Sequence, residues 1–359
     1  MATYQVSLIP GDGIGPEVAE ATRRILEATG IGFGWEYCDA GLDALDKHGD
    51  VLPEATLESV RRNGIGLKGP ITTPVGSGFR SVNVGLRQAL NLYANIRPGK
   101  TIPGVQAAFD NIDLVIVREN LEDTYAGVEF DTGTEDAAEV IAAINARSQK
   151  QIAANAAITI KMITPENSRR IVEYAFDYAR KNKRKKVTAV HKANIMKYTD
   201  GLFLRVAQEV AAENLDIQFE DRIVDNMCMQ LMQKPELYDV LVMPNLYGDI
   251  VSDLVAGMIG GLGVAPGGNI GTEAAVFEPI HGSAPSHAGK NEANPMAMTL
   301  SGALMLRHLG EIDAAERVEG AVAAVVGEGK DVTYDLREDR DASKAATTSG
   351  MADAIIARL

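Results

Sequence analysis

The chain has 359 residues, 46% of them hydrophobic, and at roughly 150 residues per domain that supports about two domains with a sizeable core. It carries 49 acidic against 35 basic side chains, a net charge of −14, and such a field repels nucleic acid and anionic membranes over most of the surface. An anionic small molecule must therefore meet a local basic cluster that works against the global charge.

Two cysteines, Cys38 and Cys228, make no disulfide framework in a chain this long and are expected as buried free thiols in a reducing, cytoplasmic setting. No run approaches about 18 uninterrupted apolar residues, which argues against a membrane span. The N-terminus runs straight into a strand and a motif, so no signal peptide is expected.

Residues 5–9 predict a strand and residues 16–29 a helix with proline in its first turn. Between them, Gly11-Asp12-Gly13-Ile14-Gly15-Pro16-Glu17 departs from the G-x-G-x-x-G spacing of a dinucleotide fingerprint. It could expose amides at a helix start or be a plain structural turn. Further strands are predicted at 113–118, 186–190, 217–224 and 239–243. Helices are predicted at 165–182, 200–214, 249–260, 294–309 and 313–326. Strands separated by helices imply an α/β sheet covered on both faces. The rhythm breaks over 127–160, where Ile158-Thr159-Ile160 alternates, which suggests an excursion used for oligomer contacts. The glycine-dense stretch 257–271 reads as a long loop, and long ordered loops are often functional.

Three arginines stand out. Arg87 ends Ser81-Val82-Asn83-Val84-Gly85-Leu86-Arg87, Arg97 follows Asn95-Ile96, and Arg118 ends a predicted strand. Guanidinium groups grip carboxylates bidentately, and at about 4 Å and an effective dielectric near 20 one pair gains ~4 kcal/mol before desolvation. The bland alternative is three unrelated, salt-bridged arginines. Asp249 and Asp253 lie four apart and share a helix face, where they would repel without a cation. Oxygen-only ligation suits magnesium or manganese, although two helix-start carboxylates could serve only the dipole. Asp225 is a candidate third ligand. Tyr125 could be a core tyrosine or an acid, and Lys192, at a strand end, a structural or a proton-transferring lysine. The basic run 181–186 ends a predicted helix and reads as a solvated face.

Taken in order, the Gly11 turn, Arg87, Arg97, Arg118, Tyr125, Lys192, Asp225, the block 245–271, His281-Gly282-Ser283-Ala284-Pro285 and Asp335 resemble the β-decarboxylating dehydrogenases. That family contains isocitrate, 3-isopropylmalate, homoisocitrate and tartrate dehydrogenases, and the likeness covers nearly the whole chain. It implies a two-domain α/β fold distinct from the G-x-G-x-x-G Rossmann fold. Residues 1–92 with 260–359 would form the large, cofactor-binding domain, and 93–122 with 165–259 the small domain. Residues 123–164 would form a clasp-like dimerisation excursion.

Members acting on isocitrate carry a serine and an asparagine where Ser81 and Asn83 stand, whereas isopropylmalate members place bulky apolar residues there. The resemblance therefore implies an isocitrate-oxidising enzyme that releases CO2 and 2-oxoglutarate. Homoisocitrate is the alternative substrate, and a regulatory subunit of a hetero-oligomer the non-catalytic alternative. Ser81, Asn83, Arg87, Arg97 and Arg118 would bind substrate. Asp225, Asp249 and Asp253 would hold Mg2+ or Mn2+, Lys192 would take the hydroxyl proton, and Tyr125 would protonate the enolate. His281, Gly282, Ser283, Ala284, Asn294 and Asp335 would line the cofactor. Ser286-His287 and Glu338 occupy places where NADP members carry Lys-Tyr and an arginine, so NAD is expected. Lys192 and Asp225 would reach the site across a dimer interface, making a homodimer with shared active sites.

Overall fold

The computed structural model describes residues 3–72 and 81–359. Nearly all its strands join one ten-stranded sheet in the order β2-β1-β3-β12-β11-β4-β5-β10-β8-β9. One flank is built from β1 (Thr3–Ile9), β2 (Gly32–Tyr37) and β3 (Ile65–Lys68), all parallel. The other flank runs through β5 (Asp113–Glu119), β10 (Val240–Met243), β8 (Lys186–His191) and β9 (Gln218–Ile223), also parallel. Between them lie β4 (Ala94–Lys100), β11 (Pro266–Ile270) and β12 (Ala275–Pro279). The contacts β12–β11, β11–β4 and β4–β5 are antiparallel, while β12 rejoins β3 in parallel.

The inner strands are apolar on both faces because helices cover both. Val240-Leu241-Val242-Met243 is wholly inaccessible to solvent, as are Val115, Ile116 and Val117 beside it. The helices α1 (Gly15–Ala28), α2 (Leu42–His48), α3 (Glu54–Asn63) and α4 (Val82–Ala89) serve the first flank. After α5 (Glu135–Asn145), the second flank is served by α6 (Pro165–Lys181), α7 (Thr199–Glu213), α8 (Val224–Gln233) and α9 (Asn245–Met258). The C-terminal part supplies α10 (Met296–His308), α11 (Ile312–Glu328) and α12 (Thr348–Ile356). Helix α10 is buried around most of its circumference, from Met296 to Leu306, and packs against both α1 and α11.

Three expectations change. The stretch 257–271 is not a long loop, because its second half is the fully buried strand β11. A Cβ built on Gly268 would sit 2.9 Å from the Phe277 ring, so glycine there serves close strand packing rather than a bend. The helix expected from Asp249 begins four residues earlier, at Asn245, which moves both aspartates out of its first turn. Cys38 and Cys228 are free but only half-buried. The excursion 127–160 contains α5 and a two-stranded ribbon of β6 (Glu129–Phe130) and β7 (Ile158–Thr159). No helix among the described residues is long and apolar enough to cross a membrane.

Candidate functional site

The Gly11–Gly15 turn is a packing corner. Gly11 and Gly13 have φ of +76° and +62°, and a Cβ on either would lie about 2 Å from a carbonyl oxygen, of Pro70 and Ser283 respectively. The amides of Asp12 and Ile14 donate to those same two carbonyls at 2.8 and 2.9 Å. They are therefore spent on the protein rather than presented to a ligand. The Asp12 carboxylate accepts from the amides of Leu42, Asp43 and Thr72, and the Thr72 and Ser283 hydroxyls bond to each other. Ser283 thus holds the corner and is itself buried.

Where the antiparallel strands interrupt the sheet, charged side chains converge on a cavity of about 130 Å3. Its walls include Lys68, Asn83, Arg87, Asn95, Arg97 and Glu278. Glu278 accepts from Lys68 at 2.6 Å, Arg87 at 3.1 Å and Asn269 at 2.7 Å. Burial opposes its charge, but the Lys68 and Arg87 cations win and hold its carboxyl far below the usual range. Asn269 in turn accepts from Asn95 and Asn120 at 2.8 and 3.0 Å. Lys68, Asn95, Asn269 and Glu278 escaped the sequence reading.

Arg118, 1% exposed, donates from Nε to Asn245 at 2.9 Å and from Nη1 to Asp249. Its guanidinium lies 4.8 Å from the Tyr125 ring centre. Burial, with the Arg97 and Arg87 charges, pushes it down to about 10. Burial likewise lowers Arg97, which donates to Ser252 at 2.5 Å and sits 3.5 Å from Asp249 and 3.4 Å from Asp253. Among the described residues, Arg87 Nε, Arg118 Nη2 and Asn83 Oδ1 are buried without a hydrogen-bond partner. Like-charged guanidiniums with spare donors around a cavity suit an anion that carries more than one carboxylate.

Asp249 and Asp253 stand one turn apart on α9. Burial raises Asp249, but Arg118, the Tyr125 hydroxyl and the other two arginines hold it below the usual carboxylate value. Tyr125 donates to Asp249 Oδ2 at 2.5 Å, and burial together with that bond pushes the phenol up, keeping its proton in place. Burial, helped by the Asp249 charge, raises Asp253 against the pull of Arg97. Two partly exposed carboxylates one helical turn apart, the second raised by the charge of the first, fit a hard divalent cation. The third expected ligand is elsewhere: Asp225, in the first turn of α8 and 68% exposed, pairs with Lys192. Among the described residues no group of three His, Cys, Asp or Glu could hold a metal within one chain. Lys192 and Asp225 form a second group, with no hydrogen bond or ion pair to Tyr125 or Asp249 among the described residues.

A second cavity, of about 290 Å3, shares His281 and Gly282 with the first and extends past Ile14, Gly263, Ala284 and His287 to Asn294, Tyr334 and Asp335. Asn294 donates to Asp335 at 2.9 Å, and the Thr333 hydroxyl to the other oxygen at 2.6 Å. His287 lies parallel to Tyr334 with ring centres 6.2 Å apart. His281 Nδ1–H donates to Gly282 O at 2.9 Å, which leaves Nε2 as a buried, unused acceptor. Burial lowers this imidazole, so it is neutral near pH 7. Of the expected cofactor residues, all but Ser283 line this cavity. Ser81 precedes α4 without capping it, so its hydroxyl is not committed to its own helix.

The model of the isocitrate/isopropylmalate dehydrogenase family matches residues 5–355. The chain is 48% identical to a mitochondrial regulatory subunit of the NAD isocitrate dehydrogenase of Dictyostelium discoideum, covering 92% of this chain and 87% of that one. It is 46% identical to the chloroplastic 3-isopropylmalate dehydrogenase of Solanum tuberosum, over 91% of this chain and 86% of the other. The crystal structure of isocitrate dehydrogenase from Methylococcus capsulatus superposes with a TM-score of 0.89 at 52% identity, covering 99% of each chain. With its ten-stranded sheet, its arginine cleft and a match along almost its full length, the chain belongs to the isocitrate/isopropylmalate dehydrogenase family.

Proposed function

We propose that the chain oxidatively decarboxylates isocitrate to 2-oxoglutarate and CO2 with NAD as oxidant. Relatives named for isocitrate reach 52% identity, against 46% for the one named for isopropylmalate. The observation that carries the choice is Asn83. Its side-chain amide lines the cavity beside Lys68, Arg87 and Arg97, where its NH2 is a donor for an anion. An isopropyl group would leave those polar atoms without partners, whereas the third carboxylate of isocitrate meets the cations and the Asn83 amide donor.

In this reading Arg87, Arg97 and Arg118 bind the carboxylates, and Ser81 and Asn83 orient the distal one. Asp249 and Asp253, with a partner's Asp225, would hold Mg2+ or Mn2+, which supplies charge stabilisation for the developing enolate. Lys192 takes the proton of the C2 hydroxyl. Tyr125 gives its proton to C3 after CO2 leaves, a role suited to a phenol kept protonated by its surroundings. His281, Gly282, Ala284, Asn294 and Asp335, next to the Ser283 corner, would hold NAD, which would supply the hydride acceptor. The idle His281 Nε2 suits an amide donor such as the carboxamide of nicotinamide. Asp335 and the nearby Glu338 would repel a 2′-phosphate.

That Lys192–Asp225 makes no hydrogen bond or ion pair with Tyr125–Asp249 among the described residues supports a homodimer in which each chain completes the other's site. Exposed Ile195, Tyr198, Met229, Met232 and Ile250 agree, since these apolar side chains flank the two groups in sequence. The division into residues 1–92 with 260–359, 93–122 with 165–259, and 123–164 remains our domain reading. Free cysteines fit a reducing compartment, and we assign the cytoplasm.

The relative named as a regulatory subunit gives the non-catalytic reading its footing. Against it, Tyr125, Lys192, Asp225, Asp249 and Asp253 are all in place here. A kinetic matrix decides: isocitrate, homoisocitrate and 3-isopropylmalate, each with NAD and NADP and with manganese. Reduction of NAD by isocitrate alone is expected. Turnover of another substrate only, or of none, would sink the proposal.

A further inference from the structure

We infer that Lys161, just after β7, is a positioning residue that holds the segments bearing Tyr125 and Lys192, and so prepares both proton-transfer groups of the chain. The inference rests on the roles given to those two side chains above.

The Lys161 ammonium is 3.0 Å from Asp123 Oδ1 and 3.3 Å from Asp200 Oδ1, without hydrogen-bond geometry to either, and 4.5 Å from the centre of the Tyr247 ring. Both aspartates are inaccessible to solvent, and the Lys161 ammonium is buried although its side chain is 14% exposed. One cation thus neutralises half of a doubly negative buried cluster, and removing it leaves two carboxylates crowded together without a counter-charge.

Each aspartate reaches a different proton-transfer segment. Asp123 opens the 3-10 turn Asp123–Ala126 that carries Tyr125, and it does so at φ +68°, which a non-glycine residue keeps only when its surroundings impose it. The imposition is visible. Its amide donates to Met162 O at 3.0 Å, next to Lys161. Its carboxylate accepts from Thr124 N at 2.8 Å and from Leu246 N at 3.1 Å, at the start of the helix that carries Asp249. Asp200, at the start of α7, accepts from the amide of Lys192 at 2.7 Å. The Lys192 carbonyl then receives the amides of Ile195 and Met196, closing a tight loop. Lys161 is therefore the hub between a turn that aims a phenol and a loop that aims an amine. If those groups serve the two different sites of a dimer, one lysine sets a half of each.

The test compares wild type, Lys161→Met and Lys161→Arg on whichever of the three substrates the wild type turns over. Misaimed proton donors slow the transition state more than binding, so Lys161→Met is expected to lose about 10²-fold in kcat with KM little changed. The solvent deuterium isotope effect on kcat should rise as proton transfer becomes limiting. Lys161→Arg, which keeps the charge, should recover most of the rate. Without any substrate, amide exchange should quicken in peptides covering 123–126 and 192–200 and stay unchanged in the β1–β3 flank. A variant that loses only melting temperature, with kcat and isotope effect intact, would overturn the inference, as would unchanged exchange in those two peptides. Should Lys161→Met not fold, Lys161→Gln is read the same way. A wild type that prefers 3-isopropylmalate would refute the substrate assignment while Lys161 is still judged on that substrate. A wild type that turns over none of the three overturns both.

Discussion

Replacing Glu119 with glutamine should make the protein relatively more stable as pH rises. Glu119 ends β5, is 3% exposed, and accepts from the amides of Leu121 and Glu122 at 2.8 and 2.9 Å. Burial outweighs those two bonds and, with the Glu122 charge, raises its pKa from 4.5 to about 7. A carboxyl whose folded value exceeds its unfolded one contributes stability that is fully present below pH 4.5 and lost as pH climbs through 7. The gap is worth about 3 kcal/mol. Glutamine resembles the protonated acid and does not titrate, so any bond it makes less well appears as a constant offset. Urea unfolding of both proteins between pH 4 and pH 8 should show the variant gaining about 3 kcal/mol on wild type across that range. A difference that is flat with pH, or that moves the other way, would show that the two amides keep the carboxylate ionised and that burial has been overrated.

Asn83→Leu should lower the ratio of kcat/KM for isocitrate to that for 3-isopropylmalate by about 10²-fold; an unchanged ratio would remove the argument from the buried amide. Asp249→Asn should weaken manganese binding by at least about tenfold in titration calorimetry, and undiminished affinity would place the cation elsewhere. Gly13→Ala, forced into positive φ against the Ser283 carbonyl, should cost at least about 2 kcal/mol in denaturation and raise KM for NAD, because the same corner seats the cofactor loop. Added salt should raise the apparent KM for isocitrate, since the local cations outweigh the distant net charge; tighter binding in salt would mean the acidic surface dominates.

The parts of the site that were legible in the sequence are those whose meaning is carried by neighbours along the chain. Asp249 and Asp253 declare a shared helix face through their spacing, and Arg87 is marked by Ser81 and Asn83 before it. Lys68 and Glu278 were illegible because each is a single charge at or near the end of an apolar strand, and each explains the other only across a sheet that joins residues some 210 positions apart. Strand β11 was misread for a related reason. Its glycines look like a loop until Phe277 of the next strand is laid against them, and that contact has no local signature. Lys161 was missed because a lone lysine after a short alternating patch looks solvated, and its two buried aspartates come from distant turns. The Gly11 turn stayed open between exposed amides and a plain structural turn, because sequence shows that amides can be exposed, not which carbonyls will claim them.

The interrupted middle of the sheet also sets an order of assembly. Strands β1 to β3 can pair once residue 68 is made, and β5, β8, β9 and β10 once residue 243 is made, each flank from its own stretch of chain. The joint between the flanks is different, since β11 and β12 must return to β4 and β3 from well over a hundred residues away. Long-range pairings of this kind carry the loop-closure cost of folding and tend to form late. Emerging from a ribosome, the chain holds two partial sheets with raw edges until Pro279 is available. The cleft with Arg87, Arg97 and Glu278 comes into being in the same event that seals those edges, so a nascent chain gains its binding site and sheds its most aggregation-prone surface together.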